Sequence, residues 1–278
     1  MKNDENRSGM MVVAEGDVTS RCRCVNKPGE YMILPRANRV EHCLPGMQGI
    51  QAQVLATPRL GAAFVEHELL IHPGVATASA IDQDLEQFLF VLEGRVDLAL
   101  GLAVHQLTQG SYAWLPPNYP FKLRNASEDL CRALWIRRRY DVVESIAIPD
   151  PIVAHERDVP ARPTDTYMEK HLTPYEDPGF DMGINLQTFD PGVYFSFVEA
   201  HVMEHGLYML SGCGLYWLNQ NYHEVQKDDF IYMAPYCPQF FYATGWQKAA
   251  YLLYKDVNRD YDGQLLAGAQ TDSARASR

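Results

Sequence analysis

No run of about 18 apolar residues occurs in the chain, so no membrane-spanning helix is expected. The first residues, Met1 to Arg7, are charged and lack the apolar stretch of a secretory signal, which makes the cytoplasm the expected compartment. Basic residues are few. Against 35 Asp and Glu there are 24 Lys and Arg, a net charge of −11, and the cluster Arg137-Arg138-Arg139 is short and followed by acidic sequence. Nucleic acids and anionic membranes are therefore poor candidate partners. The six cysteines lack the spacing of a disulfide framework and are expected as free thiols. Cys22-Arg-Cys24 has no second pair to complete a zinc site. There is no Gly-rich phosphate loop, no Gly-x-Ser-x-Gly elbow, no Cys-x-x-Cys pair and no long helical period.

What is present is an internal repeat. A shift of 118 positions aligns the halves without a gap: Gly61 falls on Gly179, Pro73-Gly74 on Pro191-Gly192, Glu86 on Glu204, Leu92 on Leu210, Gly94 on Gly212, Pro117 on Pro235 and Pro120 on Pro238. Within each copy, short aromatic and β-branched runs such as Phe88–Leu92, Val96–Leu100, Leu207–Leu210, Leu215–Leu218 and Tyr251–Tyr254 are broken by Gly, Pro, Asn and Asp every 8–12 residues or so. The expectation is all-β, with two modules each a sandwich or small barrel. They span 55–145 and 173–263, preceded by a partly disordered arm (1–54), joined by a Pro-containing linker (146–172) and followed by a disordered tail (264–278).

The second module carries Glu199-Ala-His201-Val-Met-Glu-His205. Residues i and i+2 of a strand share a face, so Glu199 and His201 are predicted to point into the barrel, with His205 re-entering after a turn. Gln239, just after Pro235-Tyr-Cys-Pro238, supplies a fourth donor. Two imidazoles, a carboxylate and an amide oxygen suit a first-row divalent cation, Mn²⁺ or Fe²⁺ ahead of Zn²⁺ or Ni²⁺. The first module is an internal control, having Ile81, Gln83, Gln87 and Phe121 at the matching positions. Glu204 matches Glu86 of that empty module and is read as structural. Tyr251 and Lys255 are four apart on one predicted strand and share a face, whereas the first module has Ala133 and Arg137 there. An inward lysine calls for an anion, which suggests a substrate carboxylate. Tyr216 follows Gly212-Cys-Gly214, a candidate bulge that would re-aim its side chain. His67 and His72 lie on opposite parity with no convincing carboxylate. His105, His155, His171 and His223 read as isolated, and Cys237 has no adjacent base.

The paired modules, Pro-Gly-x6-Glu-x-His-x3-His-Gly, Met-Ala-Pro-x-x-Pro-Gln (233–239) and Tyr-Leu-Leu-Tyr-Lys-Asp-Val-Asn-Arg-Asp (251–260) together resemble the (S)-ureidoglycine aminohydrolases, also labelled glyoxylate-induced proteins. The likeness covers about residues 50–262. It implies a bicupin, two tandem double-stranded β-helix (jelly-roll) barrels. It further implies a cytoplasmic, homo-oligomeric manganese enzyme of allantoin and purine breakdown that releases ammonia from (S)-ureidoglycine to give (S)-ureidoglycolate. On this chain it implies Glu199, His201, His205 and Gln239 as metal ligands and Tyr216, Tyr251 and Lys255 as substrate contacts. Lys255 and the tyrosines would hold the substrate carboxylate, and Glu199 would move protons. General cupins have His-x-His with a later Glu in the first motif and His in the second, and Glu199 and Gln239 depart from that pattern. Two alternatives are another metal-cupin enzyme, such as a dioxygenase or decarboxylase of a small carboxylate, and a non-enzymatic ligand-binding bicupin.

Overall fold

A computed structural model describes residues 23–45, 47, 49–77 and 84–259. Expectations for Cys22, Ile81, Gln83 and most of the two terminal segments fall outside these residues. The strands are β1 (Val25–Lys27), β2 (Tyr31–Leu34), β3 (Glu41–Cys43), β4 (Ile50–Ala56), β5 (Val65–Ile71), β6 (Leu85–Glu93), β7 (Arg95–Leu100), β8 (Ala103–Thr108), β9 (Ser111–Leu115), β10 (Phe121–Arg124) and β11 (Cys131–Arg139). They continue as β12 (Ile152–His155), β13 (Arg162–Pro163), β14 (Met168–His171), β15 (Met182–Phe189), β16 (His205–Ser211), β17 (Cys213–Leu218), β18 (Asn221–Gln226), β19 (Phe230–Met233), β20 (Gln239–Ala243) and β21 (Ala249–Asp256). The shift of 118 carries β5–β11 onto β15–β21 to within two residues at each end. No helix among the described residues is long and apolar enough to cross a membrane.

Each module pairs a large sheet with a three-stranded one. In the first, β12-β9-β6-β11-β5-β4-β3 faces β10-β7-β8; in the second, β1-β2-β19-β16-β21-β15-β14-β13 faces β18-β17-β20. Strand alternation divides the side chains cleanly. From β6, Leu89 and Val91 fill the first barrel, while Phe88 and Phe90 turn outward. From β16, Leu207 and Met209 fill the second barrel, while Tyr208 turns outward. The outward residues of both large sheets form one shared core that includes Phe64, Trp114, Leu134, Tyr208, Leu252 and Tyr254. The two barrels are thus fused back to back, which is why strands of both modules read as nearly continuous apolar runs.

The module edges differ from those expected. Strand β2, from the expected arm, pairs with β19 of the second module, and β12, from the expected linker, pairs with β9 of the first. β4 begins at Ile50, ahead of the expected edge at 55, and β14 of the linker pairs with β15. The β2–β19 and β12–β9 pairings carry no local signal, because their partners lie far away in the chain.

Two glycines explain part of the repeat. Gly94 and Gly212 stand at matching bends where the chain leaves the large sheet for the small one, from β6 to β7 and from β16 to β17, at φ +75° and +70°, where a Cβ would also meet the backbone oxygens of Leu130 and Lys248 at 2.6 and 2.7 Å. Between the sheets, a buried ion cluster joins the modules. Glu68 accepts from Arg39 (2.6 Å), Arg132 (2.7 Å) and the Tyr208 hydroxyl (2.8 Å), and Arg132 also reaches Asp228 (3.0 Å). The matching Glu86 and Glu204 also lie at this inter-sheet layer. Glu86 accepts from the Trp114 indole (2.8 Å), and Glu204 from the Ala63 amide (3.1 and 3.0 Å to its two oxygens).

Candidate functional site

The second barrel gathers the predicted residues at one end. His205 opens β16, opposite Met233 of β19 and Lys255 of β21. Its Nε2 lies 3.1 Å from Nε2 of His201, and that atom lies 3.2 Å from Nε2 of Gln239. Glu199 and Gln239 face each other in an isolated antiparallel bridge, with main-chain hydrogen bonds of 3.0 and 2.8 Å. Directly opposed residues send their side chains to the same face, so Glu199 stands on the side of Gln239. Glu199 and His201 were expected on a strand, but the stretch before β16 is irregular. The bridge to Gln239 and the bond from the Tyr236 amide to the His201 carbonyl (2.7 Å) position this stretch instead.

His205 is 3% exposed. Burial, then the neighbouring His201 and Lys255 charges, hold its imidazole well below the usual histidine range, so it is neutral and able to ligate. Two imidazoles and an amide facing one point suit a divalent cation. Among the described residues, however, no group of three His, Cys, Asp or Glu side chains is close enough to hold a metal. Three of the four expected ligands converge by side chain, and the Glu199 carboxylate adjoins rather than completes them. Ligation through the Gln239 oxygen also needs its amide turned, because Oε1 now accepts from the Tyr216 hydroxyl at 3.2 Å.

Tyr216, Tyr251 and Lys255 all point into this barrel. Tyr216 lies on β17 with regular alternation. The register shift falls instead on β16, between Met209 and Ser211, so no bulge is needed to re-aim Tyr216. Burial, then the Glu199 charge, raises the Tyr216 hydroxyl. Burial, then the neighbouring Tyr216 and Tyr167, raises that of Tyr251. Both therefore stay protonated at neutral pH. Lys255 is 5% exposed, with its Nζ 4.4 Å from the centre of the Tyr175 ring.

Sequence reasoning missed a polar layer behind these residues. Glu169 on β14 accepts from Asn185 (2.7 Å) and Gln187 (2.8 Å) at Oε1, and Oε2 meets His171 at 2.8 Å. Burial pushes the Glu169 carboxyl up, but the His171 hydrogen bond, the Lys255 charge and the Gln187 amide outweigh it and hold the carboxyl below its ordinary range. Tyr251 donates to Oε1 of Gln187. His171, read as isolated, meets Glu169, Glu176 and the Tyr175 hydroxyl. Asn185 and Gln187 were detectable by the repeat, because their first-module counterparts are His67 and Leu69.

The other candidates lie elsewhere. His72 is exposed and meets Gln51, His223 meets Tyr31, and the His155 side chain caps a short turn. His105 is half-buried on β8. Burial, then the Glu30 charge, pushes the Cys237 thiol up to about 11, which removes it as a nucleophile. The described cysteines are free thiols. In the first barrel the position of His205 is taken by Gln87, which accepts from the Trp135 indole at 2.9 Å. A cavity of about 510 Å³ opens between the modules at Arg132, Tyr208, Lys227 and Asp228, away from this site.

Residues 67–137 match the family described as the cupin domain. The (S)-ureidoglycine aminohydrolase of Escherichia coli K12 is 31% identical over 244 residues, 86% of this chain and 93% of that protein. The (S)-ureidoglycine aminohydrolase of Arabidopsis thaliana is 33% identical over 247 residues, 88% of this chain and 81% of that protein. The crystal structure of a putative glyoxylate-induced protein from Pseudomonas aeruginosa superposes with a TM-score of 0.79 at 32% identity, covering 86% of this chain and 92% of that one. With two fused cupin barrels and this likeness over nearly its whole length, the chain belongs to the (S)-ureidoglycine aminohydrolase family of bicupins, hydrolases that act on a C–N bond.

Proposed function

We propose that the protein is a Mn²⁺-dependent aminohydrolase that converts (S)-ureidoglycine and water to (S)-ureidoglycolate and ammonia in allantoin breakdown. The observation carrying this reading is the meeting of His201, His205 and Gln239, with Glu199 on the same face, at the end of the barrel that also holds Lys255. These four residues would hold the cation, which supplies a positive charge that anchors and polarises the substrate.

Lys255, driven inward beside His205, gives its ammonium to the substrate carboxylate. A single fixed cation on one wall, with Tyr251 on the same strand and Tyr216 on β17 of the facing sheet, lets one hand of the substrate bind. In the reaction a water oxygen forms the new C–O bond, the C–N bond of the amine breaks, and a water proton passes to the departing nitrogen. Glu199 would carry that proton, a reading supported by the effect of its charge on both tyrosine hydroxyls. The reading includes a cytoplasmic homo-oligomer. Exposed Tyr222 and Tyr242 on the outer face of the second barrel, where the first module has Val104 and Arg124, support self-association.

The test is ammonia release from freshly generated ureidoglycine, with Mn²⁺ added and with chelator. Release that Mn²⁺ restores after chelation is the expected result. Oxygen uptake or CO₂ release from a small carboxylate, without ammonia, would move the protein to the dioxygenase or decarboxylase cupins.

A further inference from the structure

Resting on that functional reading, we propose that Tyr251 meets the substrate as a hydrogen-bond acceptor. Its polarity is set from behind by Glu169 through Gln187, so that it reads an N–H of the amine or ureido group and not the carboxylate.

The argument follows protons. An ionised carboxylate only accepts. Oε1 of Glu169 lies 2.8 Å from the Gln187 amide nitrogen and 2.7 Å from that of Asn185. Turning the Gln187 amide over would set its oxygen against the carboxylate, so the nitrogen must face Glu169. The Gln187 oxygen then faces Tyr251, and the hydroxyl of Tyr251 must donate to it. A tyrosine has one hydroxyl proton. Once that proton is committed to Gln187, the Tyr251 oxygen offers lone pairs alone to the barrel interior. Tyr216, itself hydrogen-bonded to Tyr251, does not reverse this: with the Tyr251 proton on Gln187, Tyr216 can only donate between the two hydroxyls, which leaves Tyr251 an acceptor through its second lone pair.

A carboxylate has no proton to give to such an oxygen, whereas an amine, ammonium or ureido N–H does. The site is therefore divided. Lys255 provides the donor for the carboxylate, and Tyr251 the acceptor for nitrogen. Both come from one face of β21, and β15 lies alongside with Gln187 opposite Tyr251. The first barrel has Leu69 and Ala133 in place of Gln187 and Tyr251, so the fold does not require the pair. Glu169 and Gln187 act here as positioning residues.

The experiment measures binding to the metal-loaded full chain by calorimetry with two isosteric carboxylates. N-carbamoylglycine carries N–H groups; levulinate has CH₂ and CH₃ in their place. The wild-type protein should prefer N-carbamoylglycine by about tenfold or more, the worth of a buried hydrogen bond. Tyr251→Phe should abolish the preference and leave levulinate binding unchanged. Glu169→Gln, which frees the Gln187 amide to turn, should reduce the preference, and Glu169→Asp should restore it. Gln187→Leu is a second route to the same loss if Glu169→Gln folds poorly, and retained levulinate affinity reports an intact site in each variant. An unchanged preference in Tyr251→Phe, or equal weakening of both ligands, overturns the proposal. Ammonia release by a wild-type protein that does not discriminate between the ligands overturns it while leaving the functional reading standing. Wild-type protein that binds neither ligand and releases no ammonia overturns both.

Discussion

Glu199 and Gln239 lie on separate segments of the second barrel yet exchange both main-chain hydrogen bonds, at 3.0 and 2.8 Å. This bridge ties an irregular stretch to the first residue of β20 and so sets the spacing of a carboxylate, an imidazole and an amide. The side chain behind Gln239 then matters. Tyr216→Phe removes the hydroxyl that meets the Gln239 amide, and outer partners of this kind are worth about 10–100-fold in metal affinity. A weaker Mn²⁺ dissociation constant by competition titration, with the melting temperature nearly unchanged, is expected. Unaltered affinity would detach Tyr216 from the metal centre.

Lys255→Met keeps the length and apolar stem of a buried side chain and deletes its charge. Metal content should match wild type, while turnover falls by roughly 10²–10⁴, the range for a positioned polar group in catalysis. Metal analysis run beside the ammonia assay separates this from a damaged site. Full turnover would remove Lys255 from the chemistry.

The junction between the barrels should be sensitive at Glu68, whose side chain is fully buried with Arg39 and Arg132. Glu68→Ala leaves both guanidinium groups without their shared carboxylate. Removal of one partner from a buried pair costs about 3–5 kcal/mol, readable as a lower midpoint in urea denaturation. Replacing the surface pair Lys248–Asp190 should cost less than about 1 kcal/mol.

Glu66 gives the interface a pH dependence. Burial, opposed by Arg39, pushes its carboxyl from 4.5 up to about 8. Between those values the folded state holds a proton that the unfolded chain has released. The stability due to this group is complete below about 4.5 and is lost as the pH rises through about 8. Denaturation at pH 5.5 and pH 8.5 should show a fall in stability that Glu66→Gln diminishes. An equal fall in the variant would assign the dependence to other groups.

The sequence disclosed the repeated architecture because β5–β11 and β15–β21 obey the same turn spacing and the same glycines, Gly94 and Gly212. It singled out His201, His205, Gln239, Tyr251 and Lys255, which the second barrel holds on its inner side, because the other copy has different chemistry at their positions. Less legible was anything fixed by pairing over long distances. Glu169 and His171 fell in an expected linker because Pro149, Pro151, Pro160 and Pro163 mark the segment as irregular, yet β14 rejoins the sheet just beyond them. Alternation put Glu199 and His201 on one strand face, whereas the bridge to Gln239 and the Tyr236–His201 main-chain bond, both invisible to local periodicity, hold that stretch.

Strand β2 is synthesised early, while its neighbour β19 lies some two hundred residues later. The second barrel is therefore not a portable unit. A gene fragment opening at the linker would expose β19 as a bare edge, an invitation to intermolecular pairing and aggregation. On the ribosome, that edge is covered only when the start of the chain comes back to meet its later half. Anyone cutting this protein for crystallography or engineering should carry residues 25–34 along with the barrel they complete.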